Sequence, residues 1–364
     1  MANFSAGIIG LPNAGKSTLF NALTQGGAQI ASFPFCTISP NVGIVPVPDS
    51  RLDKLAYMIN PERVVPATIE IVDVAGLIRG AHRGEGLGNE FLSRIRGVEV
   101  LVEVVRCFED NIPHPEGSID PVRDVETIEL ELFLSDLKIV EKRLTKVDKL
   151  LKSGAKKEGQ DIEILRKLKK ALEEGISPRK ILSKEECELI GKEGFLSIKP
   201  IIYVANIEEK DLEFPSSHVR RFREFARVKE LKVVEVCAQL EMELLDLPEE
   251  ERQKFIEEIG IKENVKAKLI REIFSELGLI TFFTITGGKE VRAWPIKMGT
   301  PALKAAGKVH SDMERGFIRA EVISVDELLK VKSFKEAKLE GKVRLEGKNY
   351  QVKDGDVIHF SFAV

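Results

Sequence analysis

The stretch Gly10-Leu11-Pro12-Asn13-Ala14-Gly15-Lys16-Ser17-Thr18 leaves this chain few choices of fold. Two glycines enclose four residues and are followed at once by a lysine and two hydroxyl side chains. The apolar run Phe4 to Ile9 reads as a short buried strand entering the loop, and Lys16 to Thr24 as a helix leaving it. Strand, glycine loop and helix in that order aim successive backbone N–H groups at one point, where the positive end of the helix adds to them. The ligand such a cradle takes is a phosphate group. Gly10 and Gly15 allow a path that a Cβ would block. Ala14, Gly15 and Thr18 are expected to supply N–H groups to the phosphates. Lys16 is expected to reach the β- and γ-phosphates, and the Ser17 hydroxyl to ligate Mg²⁺.

Two later motifs extend this reading. Ala67 to Val72 is strand-like and ends in Asp73-Val74-Ala75-Gly76-Leu77. A strand closing on D-x-x-G after a phosphate loop places an Asp on a Mg²⁺-bound water and a Gly N–H on the γ-phosphate, here Asp73 and Gly76. Between the motifs lies Ala31 to Asn41, a proline-bearing loop in which Thr37 is the candidate to close over Mg²⁺. Gly80 to Asn89 holds four glycines and suits a switch that orders on triphosphate binding.

The rest of the 364-residue chain divides by pattern. From Val125 to about Ser197 the composition turns to Lys, Glu and Leu. Leu130, Phe133, Leu137, Val140, Leu144, Val147 and Leu151 alternate three- and four-residue steps, and Leu165, Leu168 and Leu172 resume them after Ser153-Gly154. The spacing predicts an antiparallel helical arm. Lys199 to Ala205 and Leu231 to Val236 read as buried parallel strands, and Glu249 to Leu277 as helical with a closing glycine at Gly278. Beyond Leu279 the pattern is α+β, with strand candidates at 280–284, 321–323, 342–345 and 357–362 and a helix at 302–309. That segment carries 15 basic and 11 acidic side chains within a chain of net charge −3, so any nucleic-acid contact must be local. Cys36, Cys107, Cys187 and Cys237 have no metal or disulfide spacing, which suits a reduced cytoplasm. No apolar run is long enough for a bilayer, so no membrane partner is expected.

With GLPNAGKST, DVAGL, the arm, the C-terminal module and Asn206-Ile207-Glu208-Glu209 where most GTPases have N-K-x-D, the whole chain resembles the YchF subfamily of Obg-like ATPases. Phe33 to Gly43 and the tail Lys353 to Phe362 fit that family too. The resemblance implies an α/β fold: a Ras-like P-loop NTPase domain over 1–122 and 198–278, a coiled-coil insertion over 123–197, and a C-terminal ubiquitin-like TGS domain of β-grasp form over 279–364. It implies a cytoplasmic protein that binds ATP as well as or better than GTP and associates with ribosomes. RNA is a further candidate partner, and a monomer is expected.

The residues bear on base choice directly. Guanine-specific sites use the final Asp of N-K-x-D against the guanine N1 and N2 hydrogens. Here Asn206 remains, able to meet adenine N6 and N7, while Ile207 replaces the stacking Lys and Glu209 is one methylene longer than Asp. Guanine discrimination is therefore weakened by roughly 1–3 kcal/mol, and the resemblance adds a preference for adenine. Phe108 matches the family position that packs on adenine, and also fits an ordinary core Phe after a strand. Leu77 stands where Ras-type proteins carry the water-orienting Gln and cannot do its work. His114 and His82 are the alternatives. His114 is preferred because it lies just beyond a strand at the carboxyl end of the sheet and matches the family's loop histidine. Asn13 at its place in the loop suggests a bound K⁺ beside the phosphates. The leading expectation is a slow Mg²⁺-dependent ATPase switch, with local patches such as the arm-tip lysines of Leu151 to Lys157 meeting the ribosome. A conventional GTPase and a nucleotide-gated binding module with incidental hydrolysis are the alternatives.

Overall fold

The computed structural model describes residues 4–25, 41–74, 87–152, 160–191, 194–248, 251–252, 254–255, 264–331 and 333–363. In chain order the elements are β1 (Ser5–Ile9), α1 (Lys16–Gln25), β2 (Val42–Pro46), α2 (Ser50–Ile59), β3 (Arg63–Val65), β4 (Thr68–Asp73), α3 (Leu87–Arg96) and β5 (Val100–Arg106). There follow α4 (Pro121–Lys152), α5 (Gln160–Glu173), α6 (Lys184–Gly191), β6 (Ile201–Asn206), α7 (Ser217–Lys229), β7 (Val233–Val236), α8 (Ala238–Asp246) and α9 (Val265–Glu276). The C-terminal segment adds β8 (Leu279–Thr286), β9 (Glu290–Lys297), a helix at Ala302–Val309, β10 (Phe317–Ser324), β11 (Arg344–Glu346) and β12 (Asp356–Phe362).

The chain forms two compact units. One comprises Ser5–Gly43 and Ile71–Val265, the other Met1–Phe4, Ile44–Glu70 and Lys266–Val364. In the first, β1, β5, β6 and β7 lie side by side and parallel, with registers Gly7↔Leu101, Leu101↔Ile201 and Tyr203↔Val233. They belong to a six-stranded sheet of order β2-β4-β1-β5-β6-β7. All seven residues of β5 and all six of β6 are buried, as strands covered on both faces must be. The parallel arrangement puts the carboxyl ends of β1, β5 and β6 at one edge, where the loops that follow them gather.

The arm grows out of this core. Near its start α4 buries Val125, Ile128 and Leu132 against Leu101, Val105 and Tyr203. Further along, Phe133 and Val140 pack with Ile164, Leu165, Leu168 and Leu172, and Leu137 and Leu144 lie against them. Leu130, counted into the seam from its spacing, is 50% exposed. At that turn the buried side of α4 belongs to the sheet contact through Ile128 and Leu132, so the heptad seam starts later than the spacing predicts. The arm-tip residues 153–159 lie outside the described residues.

Asp136 holds the arm to the chain entering β6. One of its oxygens accepts from the N–H of Leu196 (2.8 Å), the N–H of Ser197 (2.7 Å) and the Ser197 hydroxyl (2.7 Å). Its other oxygen sits 3.5 Å from the Arg96 guanidinium, at the end of α3. Arg96 in turn donates to Gly194 O and to the Ser135 hydroxyl, each at 2.7 Å. Desolvation pushes the Asp136 carboxyl above its ordinary range, and the three donors oppose that shift.

The second unit is a mixed sheet of order β11-β10-β12-β8-β9-β3. The strand β9 runs antiparallel to β8 across a turn at Gly287 and Gly288, both at positive φ. The sequence reading missed β9 because Pro295 lies within it, a residue that cannot donate to the ladder. It also placed 44–70 with the nucleotide domain. In the structure β3 pairs in parallel with β9, and Arg51 of α2 pairs with Asp354 at 2.7 Å, so this stretch joins the C-terminal unit. The predicted glycine stop holds: Gly278 has φ 60 and donates to Ser275 O at 2.8 Å.

Asp136→Ala strands the amides of Leu196 and Ser197 inside the arm base. We expect it to lower stability by about 3 kcal/mol, read as a fall in the urea midpoint of circular dichroism. A midpoint equal to wild type would contradict the assignment.

Candidate nucleotide site

The loop between β1 and α1 takes the path its glycines permit. Gly10 has φ 151, and a Cβ there would meet Val104 O of β5 at 2.5 Å. Gly15 has φ 90, and a Cβ there would collide with Asn206 Nδ2. Glycine at both places is thus demanded by neighbouring strands as well as by backbone conformation. Asn13 holds a left-handed φ of 64, which Asn tolerates better than most residues.

Lys16 is 7% exposed, and its ammonium donates to Leu11 O at 2.7 Å. Burial depresses its pKa to about 8, partly offset by Asp73. Ser17 donates its hydroxyl to Asp73 Oδ2 at 3.2 Å. Desolvation raises the Asp73 pKa, with the Ser17 hydroxyl and Lys16 acting against it. The strand end of β4 and the helix start of α1 therefore bring together two hard oxygen donors and one lysine.

A cavity of about 640 Å³ opens beside this loop. It is lined by Asn13, Gly15, Lys16, Ser17 and Thr18 from the loop and α1. Phe108 lines it from the segment after β5, Asn206 from the end of β6, and Ile207 and Glu209 from the segment that follows. Ala14 belongs to the same loop and offers its carbonyl to Asn206. Thr37, Gly76, Leu77 and His82 lie outside the described residues.

Asn206 is 5% exposed and both ends of its amide are engaged. Nδ2 donates to Ala14 O at 3.0 Å, and Oδ1 accepts from Ala238 N at 3.1 Å. Each end keeps one further hydrogen-bonding position. Sequence reasoning cast Asn206 only as a base reader. Here it also ties the phosphate loop to the start of α8. Ile207 is 2% exposed and packs in the core beneath.

His114 is buried with its ring between two partners. Nδ1 accepts from the Glu116 N–H at 3.1 Å, so Nε2 carries the proton and donates to Asp124 Oδ2 at 2.8 Å. Burial raises the Asp124 carboxyl, while His114 and Arg123 oppose the rise. The neighbouring Pro113 O accepts from Asn13 Nδ2 at 3.1 Å, which joins the phosphate loop to the histidine's own loop.

Several lining residues were not singled out from sequence. Glu208, next to the residue chosen there, accepts from the Glu109 N–H at 3.0 Å and pairs with Lys210 at 2.7 Å. It links the segments after β5 and β6. Gln239 and Glu243 line the cavity one turn apart on α8 and share a hydrogen bond at 2.9 Å. Their i, i+4 spacing on a helix after a strand was the available signal.

The family model YchF-GTPase_C, described as a protein of unknown function, matches residues 279–363, and a model described as 50S ribosome-binding GTPase matches residues 5–164. A protein of Bacillus subtilis named ribosome-binding ATPase YchF is 51% identical over 364 residues, with 99% of each chain covered. The chain belongs to the YchF family. A relative of the same name from Escherichia coli O157:H7 is 47% identical, again over 99% of both chains. The solved structure of the Schizosaccharomyces pombe YchF GTPase superposes with a TM-score of 0.87 at 33% identity, covering 99% of this chain and 98% of that one. The YchF fold, with its P-loop nucleotide-binding domain and C-terminal α/β domain, is therefore that of this chain. Among the described residues no helix is long and apolar enough to cross a membrane.

The depressed Lys16 pKa has a measurable sign. Between about 8 and the ordinary 10.5 the unfolded chain holds a proton that folded Lys16 has released. Its contribution to stability therefore rises with pH through that window. The difference between wild type and Lys16→Met in urea midpoint should grow in favour of wild type from about pH 7.5 to about pH 10. A pH-independent difference would contradict the burial account.

Proposed function

We propose that this chain is a slow Mg²⁺-dependent ATPase that works as a conformational switch on the ribosome in the cytoplasm. The observation that carries the proposal is one cavity lined both by Lys16 and Ser17, the latter bonded to Asp73, and by Asn206-Ile207-Glu208-Glu209. The relatives named ribosome-binding ATPase support both the reaction and the partner. The structural relative and one family model carry the word GTPase, so the base has to be argued from residues.

On the phosphate side, the N–H groups of Asn13 to Thr18 receive the β- and γ-phosphate oxygens, and Lys16 exchanges Leu11 O for them. Ser17 and Asp73 fit a Mg²⁺ ion: both are oxygen donors, and they converge within 3.2 Å. Among the described residues no cluster of three acidic, His or Cys side chains competes for it, which suits a cation completed by phosphates and water. When bound, Mg²⁺ neutralises charge on the phosphates. Asp73 would hold the ion through a water, and Thr37 and Gly76, which lie outside the described residues, are the candidates for the γ-phosphate side.

On the base side, Phe108 packs on the ring, and the remaining hydrogen-bonding positions of Asn206 meet adenine N6 and N7. Glu209 is too long for the bidentate guanine contact. In the reaction a water oxygen forms a bond to the γ-phosphorus while the bond to the β–γ bridging oxygen breaks, giving ADP and phosphate. His114 orients that water after leaving Asp124, and the Asn13–Pro113 hydrogen bond lets the phosphate loop shift its segment. Because Asn13 Nδ2 is spent on Pro113, its Oδ1 is the atom that would share a K⁺ ion. ATP orders the switch segments, the arm and C-terminal unit engage or release the ribosome, and hydrolysis resets a monomeric protein.

Competition binding in Mg²⁺ and K⁺ should favour ATP over GTP by about tenfold, or about 1.4 kcal/mol. A clear GTP preference would establish the guanine reading. His114→Ala should lower kcat by about a hundredfold with nucleotide affinity unchanged, and an unchanged kcat would remove His114 from the mechanism. Turnover should be faster in K⁺ than in Na⁺, and equal rates would eliminate the ion at Asn13.

A further inference from the structure

Arg106 ends β5, and its side chain is among the largest fully buried in the protein, at 2% exposure. Among the described residues no carboxylate pairs with it. Removing a guanidinium from water costs several kcal/mol unless its donors are satisfied. Here they turn to one short segment. Nε donates to Phe108 O at 3.2 Å, Nη1 to Ile112 O at 3.1 Å and Nη2 to Asp110 O at 3.4 Å. The guanidinium also lies over the Phe108 ring, 4.8 Å from its centroid. Phe108, Asp110 and Ile112 all line the nucleotide cavity.

A planar fork with donors on three nitrogens can hold three carbonyls of a loop at once, and a lysine cannot. The backbone of Arg106 is itself fixed opposite Asn206, and Cys107 N donates to Asn206 O at 2.9 Å. The loop is therefore held from inside by a side chain that starts beside the other base-side wall.

We propose that Arg106 is the positioning residue for the base-side wall of the nucleotide pocket, fixing the Phe108-to-Ile112 segment so that the Phe108 ring is set to receive the base. This rests on the reading of the cavity as a nucleoside triphosphate site. Among the described residues none of the hydrogen bonds from the Arg106 fork goes to the phosphate loop, so its effect falls chiefly on the base.

The test uses the full chain and two ligands, ATP and inorganic tripolyphosphate, each with Mg²⁺. For Arg106→Lys we expect ATP affinity to fall at least about tenfold, KM for ATP to rise in parallel, kcat at saturation to change little, and tripolyphosphate affinity to stay within about twofold. Unchanged ATP affinity would overturn the proposal. So would an equal loss for both ligands, because the fork would then support the fold or the phosphate loop at large. Phe108→Leu alters a half-buried ring and stands in if the Arg106 variant fails to fold. It should show the same split between the two ligands, and retained ATP affinity would overturn the proposal. Wild type binding tripolyphosphate but gaining nothing from the adenosine of ATP would defeat the nucleotide reading itself, separately from Arg106.

Discussion

One buried amide holds the phosphate loop of this molecule to the end of β6 and the start of α8. Asn206 sits at the end of a fully buried strand, donates to the carbonyl of Ala14 and accepts from the amide of Ala238. Buried polar groups must find partners, and each of these bonds satisfies a backbone group that would otherwise be stranded. Gly15 is glycine partly because this amide occupies the space of its Cβ. The loop after β6, the phosphate loop and the start of α8 are thereby set against each other before any ligand arrives. Preorganisation of this kind reduces the ordering that binding must otherwise impose.

The rest of the nucleotide unit extends the same logic. Strands buried on both faces fix where their carboxyl ends stop, and polar side chains then fix the loops beyond. Arg106 gathers the segment after β5, Glu208 joins it to the segment after β6, and Asn13 ties the phosphate loop to Pro113. At the far end Arg96, Asp136 and Ser197 join α3, the base of the arm and the entry to β6. Lys199 donates to Arg96 O at 2.9 Å and to Val98 O, closing that network around the helix that follows the glycine-rich segment. A displacement of α3 would therefore be felt at the arm base through contiguous hydrogen bonds.

Local pattern made much of this legible. The phosphate loop, the buried strands, the arm and the Gly278 stop each follow from spacing within a few residues. What escaped depended on partners far away in the chain. Nothing near Arg63 to Val65 announces a pairing with Glu290 to Arg292, and Pro295 disguised the strand that receives it. Lys16, Ser17 and Ile207, named from motifs, and Phe108, named from the family resemblance, line the cavity, whereas Arg106 and Asp124 were not named from sequence. A charged residue at a strand end reads as solvent-facing until its carbonyl partners are known. The engagement of His114 by Asp124 was not foreseen, because that contact is made across the turn into α4. Glu208 was passed over for Glu209 because the motif fixes attention on its last position.

The claim that Asn206 is first a tie within the pocket is most directly tested with Asn206→Asp. The change is nearly isosteric and keeps an acceptor for Ala238 N, but it sets a carboxylate oxygen against Ala14 O. Binding of Mg²⁺-tripolyphosphate, which has no base to read, should weaken at least about tenfold together with ATP. Full retention of tripolyphosphate binding with loss of ATP alone would contradict the account and leave Asn206 as a reader of the base.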